Sequence, residues 1–312
     1  MDIAFIASHP DTFKTSKDST YALILEAGYR QHCLYFIQSM DVYWDGSVRA
    51  QTRQLFLDEG QFPWYALGDA QERVLAEFDV VLLRTDPPFD MEYLYLTHLL
   101  EMAEAEGAHV VNRARAVRDF NEKLAISRFP EWIVPTLVSS SLARLQEFVV
   151  KEKQAVIKPL SEMGGSGVFL LQESDPNLHV ILESITCRGS RTVMVQRFIP
   201  EISEGDKRIL LVNGEAVPYA LARIPAEDDF RGNLAAGGRG VARPLSRRDK
   251  AIASALGPFL RESGLFLVGL DVIGDYLTEV NVTSPTGMQE IFKQTGFNVA
   301  GMMMDAVESL FG

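Results

Sequence analysis

Cysteine is scarce in this chain. Cys33 and Cys187 are its only two among 312 residues. That is too few for a disulfide framework, so the fold must rest on non-covalent packing, and both cysteines read as reduced thiols of a cytosolic, cytoplasmic protein. Basic residues are the minority charge, with 30 Lys and Arg against 42 Asp and Glu, a formal net charge of −12. This excludes a broad basic face for nucleic acid and argues against an anionic membrane surface as partner. A local cluster of Arg and Lys can still bind a small anion against the global sign. Long apolar runs are missing: none approaches the ~20 residues that span a bilayer. The opening Met1-Asp2-Ile3-Ala4-Phe5-Ile6 has neither the basic region nor the long apolar region of a signal peptide and reads as a first strand. Repeats, low-complexity tracts and coiled-coil heptads are also absent. What remains is 47% hydrophobic and 23% charged, the balance of a globular chain with room for two or three domains.

The pattern along the chain divides it. Residues 2–8, 32–37, 78–84 and 108–111 read as short apolar strands, and stretches near 17–31 and 91–106 as helices. Strands alternating with helices imply a parallel α/β domain, ending near Phe120. From 121 to 200 a smaller α+β unit is expected, with a helix from Asn121 to Ser127, a strand ending at Ile157-Lys158, a strand from Val168 to Gln172, a helix, and a strand from Thr192 to Phe198. From 201 to 312 strands dominate. A helix at 246–263, a hairpin at 265–282 and a closing helix from about Asn298 follow.

Four stretches carry chemistry. In Lys158-Pro159-Leu160-Ser161-Glu162-Met163-Gly164-Gly165-Ser166-Gly167 a strand ends in a lysine and runs into a glycine loop. Glycines let backbone N–H groups converge on an oxyanion, and the lysine adds a point charge for phosphate. An ordinary hairpin turn with a solvated lysine has the same composition. Val195-Gln196-Arg197-Phe198-Ile199-Pro200 is an apolar strand whose backbone could read an adenine edge, or a plain linker. Asp206-Lys207-Arg208 stands at a strand entrance, as solvated charges or ligand contacts, and Asn213-Gly214 marks a hairpin turn. The arginine- and glycine-rich segment at 225–241 suits a positively charged flap over an anionic substrate, or a flexible surface loop, which would leave the arginine content unexplained.

The most informative stretch is Gly269-Leu270-Asp271-Val272-Ile273-Gly274-Asp275-Tyr276-Leu277-Thr278-Glu279-Val280-Asn281. Asp271, Glu279 and Asn281 offer hard oxygens suited to Mg²⁺ inside apolar runs, the alternative being the charged solvent face that hairpins often have. Glu279 and Asn281 share a face because strand side chains alternate. Asp271 joins them only opposite Glu279, which requires an odd connection such as Gly274-Asp275-Tyr276 with a bulge. A two-residue turn would pair Asp271 with Thr278 instead.

Taken in order, these stretches resemble the ATP-grasp ligases, and within them the bacterial glutathione synthetases over nearly the whole length. The resemblance is carried by Arg84-Thr85-Asp86-Pro87-Pro88-Phe89-Asp90, Arg118-Asp119-Phe120-Asn121-Glu122-Lys123-Leu124 and Lys158-Pro159-Leu160. It continues in Gly205-Asp206-Lys207-Arg208, Arg223-Ile224-Pro225, Arg231-Gly232-Asn233-Leu234-Ala235-Ala236-Gly237-Gly238-Arg239-Gly240 and Glu279-Val280-Asn281-Val282-Thr283-Ser284-Pro285-Thr286-Gly287. It implies an α/β and α+β fold: an N-terminal substrate-binding domain at 1–120, a central ATP-grasp lid at 121–200 and a C-terminal ATP-grasp unit at 201–312.

The implied reaction joins γ-glutamylcysteine and glycine. ATP is co-substrate, Mg²⁺ or Mn²⁺ the metal, and the protein is expected to be a homo-oligomer, dimer or tetramer. Lys123 and Lys158 would hold the ATP phosphates under the loop at Gly165, Ser166 and Gly167. Gln196, Arg197, Phe198 and Ile199 would face adenine, and Asp206 the ribose. Arg208, Arg231 and Lys158 would be catalytic, with Asp271, Glu279 and Asn281 on the metal. Arg84, Arg223, Arg231, Asn233, Gly237, Gly238, Ser284, Pro285 and Thr286 would contact the substrates, with Ser284-Pro285-Thr286 bordering the glycine pocket. Ser161-Glu162 stands where the family pattern has Asp-Gly or a similar pair, so the Glu162 side chain is expected to point to solvent. Two other readings share many of these residues: another ATP-grasp amino-acid ligase, and a non-catalytic ATP-binding regulator.

Overall fold

A computed structural model describes residues 1–58, 63–226, 232 and 237–312. The first sheet uses strands β1 (Asp2–Ile6), β2 (Cys33–Ile37), β3 (Val42–Trp44), β4 (Val48–Leu57), β5 (Tyr65–Val74), β6 (Val80–Leu83) and β7 (Val110–Val111). Its order is β3-β4-β2-β1-β6-β7, with β5 paired to β4. The expected parallel unit is the β2-β1-β6-β7 half. An antiparallel extension, β3 to β5, completes the sheet. Helix α1 (Ser19–Tyr29) starts where Asp18 accepts the Tyr21 N–H, and α2 (Met91–Ala105) where Asp90 accepts the Tyr93 N–H. These caps satisfy otherwise orphaned donors. A short α3 (Ala114–Asp119) follows. Ile3, Phe5, Leu23, Ile24 and Leu82 are fully withdrawn from solvent between sheet and helices; each contributes roughly 1.5–3 kcal/mol of burial.

The second sheet holds β8 (Thr136–Ser139), β9 (Gln154–Pro159), β10 (Phe169–Gln172) and β11 (Val193–Arg197), antiparallel in the order β10-β9-β11-β8. Helices α4 (Leu142–Glu152) and α5 (Leu178–Ile185) cover one face over a small separate core that includes Leu145, Ile157, Leu182 and Val195. The helix expected from Asn121 to Ser127 is instead a 3₁₀ stretch at Leu124–Arg128. Asn121 closes its entry by accepting the Lys123 and Leu124 N–H groups through its side chain, a local alternative to helix that Asn offers readily.

The third sheet is antiparallel: β12 (Asp206–Val212), β13 (Glu215–Ile224), β14 (Arg239–Pro244), β15 (Leu267–Ile273) and β16 (Tyr276–Asn281), ordered β14-β13-β12-β15-β16. Asn213-Gly214 makes the β12–β13 turn as expected. Helix α6 (Arg247–Glu262) opens on a capping box between Ser246 and Asp249, while α7 (Met288–Thr295) and α8 (Val299–Phe311) close the chain. Among the described residues no helix is long and apolar enough to cross a membrane.

The first and third sheets are joined by side chains. Arg30, just past α1, reaches Asp305 at 2.7 Å and Glu308 at 2.9 Å on α8. Buried Asn112 satisfies all its polar capacity on the third sheet. Its amide donates to Leu267 and Val282 carbonyls, and its oxygen accepts the Phe266 and Leu267 N–H groups. Asn112→Ala is expected to lower stability by about 2 kcal/mol, because the abandoned groups stay buried. Chemical denaturation would measure the loss, and an unchanged midpoint would show that the joint does not depend on this side chain.

Candidate active site

Where the second sheet faces the third, a cavity of roughly 370 Å³ opens, within the range of small-molecule sites. Its roof is Val156, Lys158 and the glycine loop; its floor is Asp206, Arg208, Arg223, Glu279 and Asn281. Asp86 and Pro87 bring the N-terminal unit to one side, and Glu122 and Lys123 form the joint. An apolar end is made by Val156, Phe198, Ile199, Ile202 and Ile273.

The hairpin carrying the acidic residues places Asp271 opposite Glu279. Its connection is not the expected three residues. Gly274-Asp275 is a two-residue turn, with Ile273 paired to Tyr276 and Val272 to Leu277. Gly274 at φ +56° supplies the positive φ that the first position of a type II′ turn requires. A bulge between Asp271 and Val272 then leaves Thr278 unopposed and restores the odd count. The Thr278 hydroxyl secures the bulge by donating to the Asp271 carbonyl at 3.1 Å. Asn281 lies two residues beyond Glu279, and its amide donates to the Gly269 carbonyl at 3.2 Å.

Charges on the floor form an alternating chain. Arg208 grips Asp271 with two bonds of 2.9 and 2.8 Å. Arg223 lies 2.8 Å from the same carboxylate and also pairs with Asp206. Burial alone would raise the Asp271 pKa, but the Arg208 and Arg223 guanidiniums hold it well below the usual carboxylate range. Asp206 is pushed up by burial, with the charges of Asp271 and Glu279 adding to it against the pull of Arg223. One Asp206 oxygen, Oδ1, is buried with no hydrogen-bond partner among the described residues, an acceptor in want of a donor. Lys207, the intervening residue, turns to the opposite face. There it meets buried Asp249 at 2.5 Å and the Gly274 carbonyl.

Above the floor, Lys158 Nζ lies 3.6 Å and Lys123 Nζ 3.9 Å from Glu279 Oε1. Burial lowers the Lys158 pKa, and the neighbouring Lys123 charge lowers it further against the pull of Glu279. Lys158 also donates to the Thr278 carbonyl, and Lys123 to the Glu162 carbonyl of the glycine loop. The Glu162 residue is exposed. Gly165 and Ser166 line the cavity; Gly167 does not. Gly167 sits at φ +65°, and a Cβ there would come 2.9 Å from the Pro159 ring, so it lets the loop return tightly onto its own strand. The Ser166 N–H is already committed to the Met163 carbonyl.

Gln196, Arg197, Phe198 and Ile199 all line the cavity. The Gln196 side chain donates to Thr136, while the Arg197 and Phe198 N–H groups bond to Pro135 and Gln154 carbonyls. This narrows which backbone groups remain for a base. Arg84 is not on the cavity wall. It is only 4% exposed, donating to Thr20 Oγ1 and the Pro285 carbonyl, so it meets the site through the loop that it holds. Ser284, Pro285 and Thr286 do line the cavity; Ser284 donates to Asp86, and Arg208 to Thr286. Gly237 and Gly238 lie away from the wall. Arg231, Asn233 and most of the expected flap fall outside the described residues. Sequence reasoning gave no role to Glu122. Its Oε1 accepts from the Val282 and Thr283 N–H groups and the Thr283 hydroxyl. Burial pushes its pKa up against those donors. The only hint was its place beside Lys123.

The same architecture occurs in the D-cycloserine synthetase DcsG, with a TM-score of 0.69 over 100% of both chains at 13% identity. It also occurs in the ATP-grasp ligase PsnB solved with minimal precursor, Mg and ADP, with a TM-score of 0.63 at 15% identity over 99% and 97% of the two chains. The fold is therefore that of the ATP-grasp ligases. At the sequence level, the prokaryotic glutathione synthetase N-terminal domain matches residues 1–118, and the ATP-grasp domain of the same family matches 122–296. The glutathione synthetase of Nitrosomonas europaea is 55% identical over 99% of this chain and 98% of its own length. That of Ralstonia nicotianae is 51% identical over 100% and 97%. The chain belongs to the prokaryotic glutathione synthetase family.

Proposed function

We propose that this chain is a glutathione synthase, joining γ-glutamylcysteine and glycine at the expense of ATP and releasing ADP and phosphate. The observation that carries this reading is one cavity lined by Lys123, Lys158, Arg208, Arg223 and the oxygen-bearing Asp206, Glu279 and Asn281, in a member of this family. A carboxylate is a poor acyl donor because oxide would have to leave. Transfer of a phosphoryl group to the cysteinyl carboxylate gives an acyl phosphate, whose leaving group is phosphate, and the glycine amine then attacks the acyl carbon. The protein's work is positioning and charge neutralisation.

In this reading Lys123 and Lys158 bind the ATP phosphates beneath Gly165 and Ser166, with Gly167 shaping the loop. Adenine enters the apolar end beside Gln196, Arg197, Phe198 and Ile199. The unpartnered Asp206 Oδ1 accepts a ribose hydroxyl. Arg208 faces the transferred phosphoryl group, and Arg223 orients the acid through the floor network. Ser284, Pro285 and Thr286 border the glycine pocket, with Arg84 fixing Pro285. Arg231, Asn233, Gly237 and Gly238 are assigned to the acid by resemblance alone.

The donor set fits a small hard divalent cation, Mg²⁺ rather than Mn²⁺ being our choice. Among the described residues no group of three or more His, Cys, Asp or Glu could hold a metal. Glu279 and the Asn281 amide oxygen on the cavity wall, with Asp271 behind them giving up part of its arginine contacts, would hold the ion, and it would neutralise phosphate charge there. We further propose units at 1–120, 121–200 and 201–312, a dimer or tetramer, and a cytoplasmic location. Phosphate release should require ATP, γ-glutamylcysteine and glycine together. Release driven equally well by another acid and amine would point to a different ATP-grasp ligase, and no release under any pairing would point to a regulator.

A further inference from the structure

We propose that Glu122 is a positioning residue for the amine end of the site, an inference that rests on the glutathione synthase reading. The loop after β16 leaves the sheet at Asn281, so from Val282 onward its backbone loses strand partners. Four side chains from outside the third sheet hold it instead. Asn112 donates to the Val282 carbonyl, Arg84 donates to the Pro285 carbonyl, Asp86 accepts from Ser284, and Glu122 accepts from Val282 and Thr283. Glu122 contributes most. Its Oε1 accepts two backbone N–H groups, at 2.9 and 3.2 Å, and the Thr283 hydroxyl at 2.8 Å. One oxygen thereby gathers three donors and fixes the direction in which the loop departs.

The same residue faces the other half of the site. Its backbone carbonyl accepts the Val280 N–H at 2.8 Å, between Glu279 and Asn281 on β16. The next residue is Lys123, whose ammonium lies 3.9 Å from Glu279 and donates to the glycine loop. Glu122 therefore sets the spacing between the loop that borders the glycine pocket and the lysine that meets the phosphates. The amine and the acyl phosphate approach from those two sides, so this spacing governs their alignment. The role needs an acceptor oxygen at the right reach and not a particular charge.

Two substitutions separate these requirements. Glu122→Gln keeps Oε1 as an acceptor, and Glu122→Ala removes it. In Glu122→Ala the KM for glycine should rise by about 10–100-fold, the range for groups that orient a site from behind, with the KM values for ATP and γ-glutamylcysteine nearly unchanged. Glu122→Gln should restore the glycine KM to within about threefold, since a neutral acceptor still satisfies both N–H groups. A merely structural role would reduce the active fraction and leave the KM values alone. An unchanged glycine KM in Glu122→Ala, or a Gln variant as impaired as the Ala variant, would overturn the proposal. Amide exchange across 282–286 is the second readout, independent of turnover. It should quicken in Glu122→Ala and stay slow in Glu122→Gln, and equal protection in both variants would also overturn it. If the unaltered chain made no glutathione, the function reading would fail, while the exchange comparison would still decide whether Glu122 holds the loop.

Discussion

Glu279→Gln is expected to lower ligation by about 100-fold or more, the loss associated with one preorganised charge contact, while leaving the fold largely intact. Glutamine preserves shape but removes the charge facing two ammonium groups at 3.6 and 3.9 Å. Without ligands that leaves Lys123 and Lys158 short of a counter-charge. Nucleotide phosphates supply negative charge to the same lysines, so metal-free ATP binding should persist. The divalent-metal requirement should rise instead, because one hard oxygen is weakened. Initial rates across a magnesium titration, with calorimetric ATP binding alongside, would measure both effects. A variant with near-normal rates at ordinary magnesium would remove Glu279 from the site.

How far the sequence disclosed this site depends on the kind of interaction. Lys123, Lys158, Asp206, Arg208, Glu279 and Asn281 could all be named from strand ends and resemblance, and all line the cavity. The alternation that puts Asp206 and Arg208 on one face also turns Lys207 away to Asp249, which a run of three charged residues does not announce by itself. The hairpin shows the limit of counting. The turn has two residues, and only the bulge at Thr278 brings Asp271 opposite Glu279. A bulge leaves little trace in composition.

Arg84 was legible as unusual but not as buried. Its position depends on Thr20 and Pro285, 64 and 201 residues away along the chain. Strands β4 and β5 interleave polar and apolar residues, as Val48, Ala50 and Thr52 buried between exposed or half-buried Arg49, Gln51 and Arg53 illustrate. That period-two pattern is the mark of a half-buried strand, and a search for apolar runs alone overlooks it. Glu122 and Asn112 act through long-range bonds, most of them to backbone groups, which no local pattern contains.

An isotope should distinguish the proposed route from direct displacement. With ¹⁸O in the cysteinyl carboxylate of γ-glutamylcysteine, one label should appear in the phosphate released during ligation. A carboxylate oxygen attacks the γ-phosphorus as ADP leaves. When the glycine amine attacks the acyl carbon, the carbon–oxygen bond breaks and that oxygen departs with phosphate. Arg208 is the floor residue best placed to meet the transferred group, since it faces the cavity and also reaches Thr286 at 3.4 Å. It is bound bidentately to Asp271, so reaching a phosphoryl oxygen means giving up part of that grip. Negative charge on the reacting group favours the exchange. Arg208→Ala should therefore slow label transfer by ~100-fold or more, and Arg208→Lys should recover little, because an ammonium cannot reproduce the fork. Mass spectrometry of phosphate and glutathione from single-turnover reactions would follow the label. Unlabelled phosphate, with the expelled oxygen recovered in water, would mean that no acyl phosphate lies on the path, and the order of bond changes described for this cavity would have to be abandoned.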